Sequence, residues 1–397
     1  MTTRQQWISG IRIGAAGAAL ALVLIPVLGL RTAQSAQTLK LTVLYNFSGS
    51  SDGGDPYATL IRDSAGNLYS TADYGGTAFA GVVFKVAPNG VETVLYNFSG
   101  GADGAQPFSA LVRDKAGNLY GTTTMGGSAN AGVVFRVDPA GAEAVLHNFV
   151  GGKDGTTPTG GLLEDKAGNF YGTTSQGGTS NAGVLFKIGA KGKYSILHTF
   201  TGATNDGKYP TYTSLLMDSA GTLYGVTEEG GSANGGILYT FIKTGTLTIL
   251  HSFMGGTTDG CNVLGTPFID KNGNFYGTTS SCGASGLGTV WKVSANGDES
   301  VLHSFAGGTT DGEYPLAGVI VDANGNVYGN TETGGASNLG TVYKISPGGT
   351  FTLVHSFAGT DGKYPYGSFV RNAKGTLFGT ALNGGTIGYG TVWKMKQ

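Results

Sequence analysis

All five histidines of this 397-residue chain fall in copies of one phrase. At residues 301–315 it reads "VLHSFAGGTTDGEYP", and its copies hold His147, His198, His251, His303 and His355 at equivalent positions. An imidazole with an Asp a few residues on is the raw material of a metal site or a general-base pair. The repetition points instead to packing. Two copies have Tyr45 and Tyr96 there, so any ring with a polar tip satisfies the position. Facing sheets lie about 10 Å apart, whereas a zinc–nitrogen bond spans about 2.0–2.1 Å. Equivalent histidines of different repeats therefore cannot share an ion, and neither metal nor cofactor is expected. The Asp of each "DG" (Asp52, Asp103, Asp154, Asp206, Asp259, Asp311 and Asp361) reads as the cap of its own glycine turn. A calcium loop would need DxDxDG, and these loops offer one Asp each. Cys261 and Cys282 are the only cysteines. They fall on adjacent loops of one repeat, which suggests a disulfide worth roughly 3 kcal/mol. The rival reading, a thiol metal or redox pair, lacks CxxC spacing and a nearby His.

No phosphate-binding glycine loop occurs. The segments expected innermost, such as "YATLIRD", "FSALVRD" and "TGGLLED", have apolar or small middles, with Glu164 the one acid inside them. A cage of inward carboxylates of the lactonase kind is therefore not expected. A lyase needing one His and one Glu would leave no motif, so that reading stays open. No catalytic residue is assigned.

These residues hang on a ruler. An aromatic of an "NLYG" phrase stands at Tyr69, Tyr120, Tyr171, Tyr224, Tyr276, Tyr328 and Phe378. Fifteen residues after each comes a second aromatic: Phe84, Phe135, Phe186, Tyr239, Trp291, Tyr343 or Trp393. Six before each stands Asp63, Asp114, Asp165, Asp218, Asp270, Asp322 or Asn372. Seven units of about 51 residues follow. Each reads as four short strands, exemplified by "SALVRD", "NLYGTT", "GVVFRV" and "EAVLHNF". Tight Asp/Gly and Pro/Gly turns make the strands antiparallel. The ends decide between ring and open stack. Residues 41–47 are a lone fourth strand, and residues 390–395 a third strand lacking its outer neighbour. Pairing them removes an exposed edge. The expected fold is all-β: a seven-bladed β-propeller of four-stranded antiparallel blades over residues 37–397, closed by its two ends.

The phrases "GTVYKISPGGT", "LVHSFAGTDG" and "GNLYGTTTMGG" resemble the GloVer (Gloeo/Verruco-type) tandem repeats of exported bacterial proteins. The resemblance covers nearly all of residues 41–397. It implies secretion and a repeat β architecture, and it implies no established activity and no catalytic residues. More loosely, the layout is similar to NHL-like and streptogramin-lyase-like propellers.

Composition bounds the partners. Only 12% of residues are charged and the formal net charge is -1. With no basic stripe, binding to nucleic acid or to an anionic membrane surface lacks its electrostatic footprint. Residues 1–36 differ from the rest: Arg4 and Arg12 precede an apolar run over 13–30, then small polar residues. This is the order of a secretory signal, with cleavage expected before Ala36. An uncleaved N-terminal anchor is the alternative, and either way the body lies outside the cytoplasm. A monomer is expected.

Function should lie where the repeats differ. Length changes fall in or beside the connection entering each blade, which shares a rim with the second-to-third loop. There, the two residues before each "GG" vary, and Asp73, Tyr74, Met125, Gln176, Glu228, Glu229, Glu332 and Asn383 are the candidate ligand contacts. Tyr57, Tyr209, Tyr314 and Tyr364, just before the first strands, could form a stacking rim for sugars or plugs between blades. The expected role is a non-catalytic binding or scaffold module for a glycan or a protein. The alternative is an extracellular lyase or hydrolase acting on polysaccharide.

Overall fold

The Asp and Tyr that mark the repeat, six residues apart, meet across the first hairpin of each unit. In the first, the Asp63 carboxylate accepts the Asn67 backbone N–H at 2.8 Å and the Tyr69 hydroxyl at 3.0 Å. Five further units repeat the Tyr–Asp bond at 3.1–3.3 Å. In the last, Asn372 and Phe378 replace both partners together, so no hydroxyl is left unpaired. The motif spacing is thus a hydrogen bond that fixes a tight turn.

A computed structural model of the chain describes residues 40–396. Residues 1–39, which include the leader expected over 1–36, and residue 397 lie outside the described residues. Blade 1 comprises Ile61–Arg62, Leu68–Ala72, Val82–Val86 and Glu92–Asn97, paired antiparallel in that order. Six more four-stranded sheets follow the same plan. In blade 7 the outer strand is Lys40–Asn46, which pairs with Thr391–Lys396 from Lys40↔Lys396 to Asn46↔Thr391. The ring is closed, and no blade keeps the sheet edge that the missing strand would have exposed.

The innermost strands are shorter than the sequence suggests, two residues in every blade but the fifth. Proline explains this. Pro56, Pro107, Pro158, Pro210, Pro315 and Pro365 interrupt the ladder because they lack an N–H. Blade 5 has Val263 there; it pairs with Thr279, and one strand spans Gly260–Ile269, with a register shift between Leu264 and Phe268 where Pro267 falls.

Each third strand meets its outer neighbour with one register shift. In blade 1, Val83 pairs Tyr96 and Phe84 pairs Val94, leaving Leu95 as the extra residue. Such a bulge re-aims the side chains beyond it. Here it sets the His/Tyr position and the Phe two residues on. That Phe (Phe47, Phe98, Phe149, Phe200, Phe253, Phe305, Phe357) is fully buried in all seven copies. Each inserts toward the third-strand aromatic of the next blade, with ring centroids 5.0–6.0 Å apart. The core is therefore seven seams between blades rather than one centre. The aromatic also explains the glycine of "NLYG". A Cβ on Gly121 would lie 2.7 Å from the Phe135 ring, and one on Gly277 would lie 2.3 Å from Trp291.

Candidate functional site

One repeat position faces the axis of the ring. It lies six residues before the hairpin Asp and is Tyr57, Phe108, Thr159, Tyr212, Leu264, Leu316 and Tyr366 in blades 1 to 7. All seven line a cavity of ≈ 300 Å³ at the channel mouth, on the rim where connection lengths vary. The remaining lining is Ala, Gly, Ser and Thr. Tyr57 packs on Phe108 at 4.5 Å and on Tyr366 at 4.8 Å between centroids, and Phe108 lies 6.4 Å from Tyr212. These four rings make an aromatic arc opposite an aliphatic wall of Leu264 and Leu316. A side lobe of ≈ 270 Å³ continues outward past Phe108, Thr159 and Tyr212 to Thr124 and Met125.

Tyr212 owes its place to the one extra residue in blade 4, where Asp206 and Asp218 are 12 apart instead of 11. Its backbone turns to φ 53 and its N–H donates to the Thr159 hydroxyl of blade 3 at 3.1 Å. The ring so leans across the blade whose own position is only a Thr, which extends the arc.

Carboxylates stand behind the arc. The Tyr366 hydroxyl donates to Glu332 Oε1. Burial, then the Asp73 charge, pushes Tyr57 up to about 12. Burial first, and then the charge of Asp55, pushes Asp73 up to about 7, and its Oδ1 is buried without a partner. Burial also raises Glu228, and the Tyr212 hydroxyl is raised by desolvation first and then by the Glu228 charge. Among the described residues, no carboxylate, imidazole, thiol or amine lines the main cavity itself.

The residues singled out by sequence divide accordingly. Asp73, Glu228 and Glu332 lie behind the tyrosines, and Met125 lines the side lobe. Tyr74 sits outside the cavity, in an exposed aromatic group with Phe79 and Tyr389. It stacks on Tyr389 at 6.1 Å and lies 5.7 Å from Phe79. The three are 38%, 58% and 40% exposed. Gln176 is exposed beside its backbone pairing with Thr156. Glu229 is held by Lys208 at 2.7 Å, and Asn383 donates to Asp55 at 2.7 Å. Of the four tyrosines proposed as a rim, Tyr57 alone lines the cavity. Tyr209, Tyr314 and Tyr364 stand instead immediately before the proline of their blades, with φ 55–59. The Lys208 and Lys363 ammonium groups lie over the Tyr209 and Tyr364 rings. Phe108, Tyr212 and Tyr366 went unnoticed in the sequence. Counting back six residues from each hairpin Asp would have found them.

The histidines serve the seams. In four copies His Nε2 meets the following Asp carboxylate at 2.7–3.2 Å (His147–Asp154, His198–Asp206, His303–Asp311, His355–Asp361). Tyr45 and Tyr96 donate to Asp52 and Asp103 in the same way, at 2.7 and 2.9 Å. The same Asp accepts a backbone N–H of its loop, as from Ser48 at 2.9 Å, so it caps the turn while holding the ring. Cys261 and Cys282 form the expected disulfide on blade 5.

Fold and cavity together define a closed seven-bladed propeller with an aromatic axial mouth. The Gloeobacter/Verrucomicrobia repeat matches residues 32–239 and 210–397, and the chain belongs to that family. No curated protein matches it in sequence. Among solved structures, the extracellular domain of the BT4673 two-component system of B. thetaiotaomicron aligns with TM-score 0.57 and 11% identity, over 89% of this chain and 39% of that one. The extracellular domain of its hybrid two-component system BT3049 gives TM-score 0.56 and 14% identity, over 90% and 41%. The chain thus spans about two-fifths of those domains. A gluconolactonase of Xanthomonas campestris, XC5397, aligns with TM-score 0.46 and 12% identity over 90% and 89%. At these identities the two extracellular-domain matches speak to the fold alone.

Proposed function

We propose that the protein is an exported, non-catalytic binding module that takes a carbohydrate at the axial mouth. The observation that carries this is the arc of Tyr57, Phe108, Tyr212 and Tyr366 around one cavity, opposite an aliphatic wall and ringed by Ser and Thr hydroxyls. Aromatic faces match the apolar faces of sugar rings, and hydroxyls match their edges. The cavity is at the small end of ligand pockets, roughly 300–1,000 Å³, which suits a sugar unit better than a protein surface. The exposed group of Tyr74, Phe79 and Tyr389 offers a further stacking surface. The disulfide supports work in an oxidising compartment.

One observation favours an enzyme as the second reading. Asp73, poised near neutrality beside Tyr57, has the character of a general acid or base. A glycan array followed by titration calorimetry tests both readings. Under the binding reading the glycan is recovered intact, and Tyr57→Ala or Tyr366→Ala weakens its binding at least tenfold. Cleaved product that Asp73→Asn abolishes while binding persists would replace it with the lyase or hydrolase reading. Binding untouched by both tyrosine substitutions would remove the mouth as the site.

A further inference from the structure

At the rim, each seam brings together three side chains: the outer-strand ring, the Asp after it, and the residue opening the next blade's outer strand. With Tyr45–Asp52 and Tyr96–Asp103 the third is Glu92 or Glu143. With His147–Asp154 it is Tyr194, whose ring stacks on the imidazole at 3.8 Å, and with His303–Asp311 it is Phe351, stacked at 4.0 Å. The seam between blades 4 and 5 departs from all of these, for it alone sets a His and an Asp against a Glu: His251, Asp259 and Glu299.

That seam is also where the hydrogen bond fails. His251 Nε2 stands 3.9 Å from Asp259, against 2.7–3.2 Å at the other four histidines. His251 Nε2 and Glu299 Oε1 are both buried, and neither has a partner. A donor-capable nitrogen and an acceptor left unmatched together are costly unless something lies between them. One nitrogen and two carboxylate oxygens, one from each residue, lie within 4.8 Å of one another.

We propose that His251, Asp259 and Glu299 bind one divalent ion of the borderline class, such as Zn²⁺, across the seam of blades 4 and 5. Imidazole with two carboxylates suits such ions better than Ca²⁺, which takes six to eight oxygens. Zinc holds its ligands at about 2.0–2.2 Å, which puts ligand atoms roughly 3.5 Å apart, so a pair at the 4.8 Å limit must close by about 1.3 Å. The loop carrying Asp259 is braced for this. Asp259 accepts the N–H of Met254 and of Gly260, each at 2.6 Å, and Cys261 ties the loop to Cys282. Histidines of different blades are too far apart to share an ion; this site needs one histidine, from blade 4, with carboxylates from the loop and blade that follow.

The test uses purified full-length protein without a histidine tag, stripped with chelator and titrated with ZnCl₂ by calorimetry, with bound metal counted by elemental analysis. One ion per chain is expected, with the melting temperature rising on addition. Glu299→Gln and His251→Phe should each weaken binding at least tenfold; a ring without a ligand nitrogen fits this position, as Tyr45 and Tyr96 show. His303→Phe should leave the stoichiometry at one. No uptake by the parent protein, uptake unchanged in Glu299→Gln and His251→Phe, or equal loss in His303→Phe would each overturn the proposal.

Discussion

Glu92 opens the outer strand of blade 1 with one carboxylate oxygen buried and unpartnered, near Asp52 across the seam. Burial, then the Asp52 charge, pushes it up to about 7. An unfolded Glu ionises near 4.3. The folded state therefore binds the proton more tightly, and the stability it contributes is fully present below that value and lost as pH rises through 7. Glu92→Gln removes the titration. Its melting temperature should exceed the parent's by a few degrees at pH 8, and the gap should shrink toward zero near pH 4.5. Melting curves across that range check it, and a gap independent of pH would mean the glutamate is not desolvated in solution. The glycines beneath the third-strand aromatics make a steric counterpart. Ser70 is tolerated under Phe84 in blade 1, whereas a Cβ on Gly277 would lie 2.3 Å from Trp291. Gly277→Ser should cost about 1–3 kcal/mol, as overpacking does, and Gly121→Ser, under the smaller Phe135, should cost less. Chemical denaturation of the two variants gives the comparison.

Blade 5 concentrates the departures at the scale of the element: a ten-residue inner strand, Val263 where the other blades have proline, and the disulfide. The bridge joins residues 21 apart in sequence, beside the Val263–Thr279 pairing that the other blades' proline prevents. Closing a loop of that size contributes about 3 kcal/mol in the chain-entropy view. Reduction, or Cys261→Ser with Cys282→Ser, should lower the melting temperature by a few degrees and leave the sheet content by circular dichroism unchanged. An unchanged melting temperature would mean the blade is set by pairing alone. The blades were legible in the sequence because motif residues answer to bonds within one blade: Asp63 to Tyr69, Cys261 to Cys282. The short inner strands were not, because the apolar runs continue past the Pro that interrupts the ladder in six of the seven blades. The cavity was half legible. Asp73, Glu228 and Glu332 declared themselves by varying among constant neighbours. Phe108, Tyr212 and Tyr366 hid at a position seven blades share, and only closure of the ring brings one position's copies face to face. His251 with Glu299 hid for a related reason, since the residues are 48 apart and meet across a seam.

Closure of the whole molecule rests on Lys40–Asn46, the strand from the far end of the chain that completes blade 7. Its contribution is larger than one strand's pairing. Tyr45 brings a hydroxyl to Asp52 across the 7–1 seam, and Leu44 and Tyr45 pack on the core cluster that contains Phe47, Phe84 and Phe378. Without the strand, Thr391–Lys396 becomes an exposed edge with unpaired backbone groups, an invitation to pair with another chain. A ring also differs from an open stack in how damage spreads, because each blade is held from both sides and a break leaves two blades held from one. Deletion through Asn46 should therefore lower the melting temperature by about 10 °C or more, broaden the transition, and produce dimers or larger species on size exclusion. A synthetic peptide spanning residues 38–48, added in excess, should restore the parent's elution volume and much of the lost stability by filling the vacant edge. A truncated protein that stays monomeric and melts like the parent would mean that the six remaining complete blades hold the ring without the clasp.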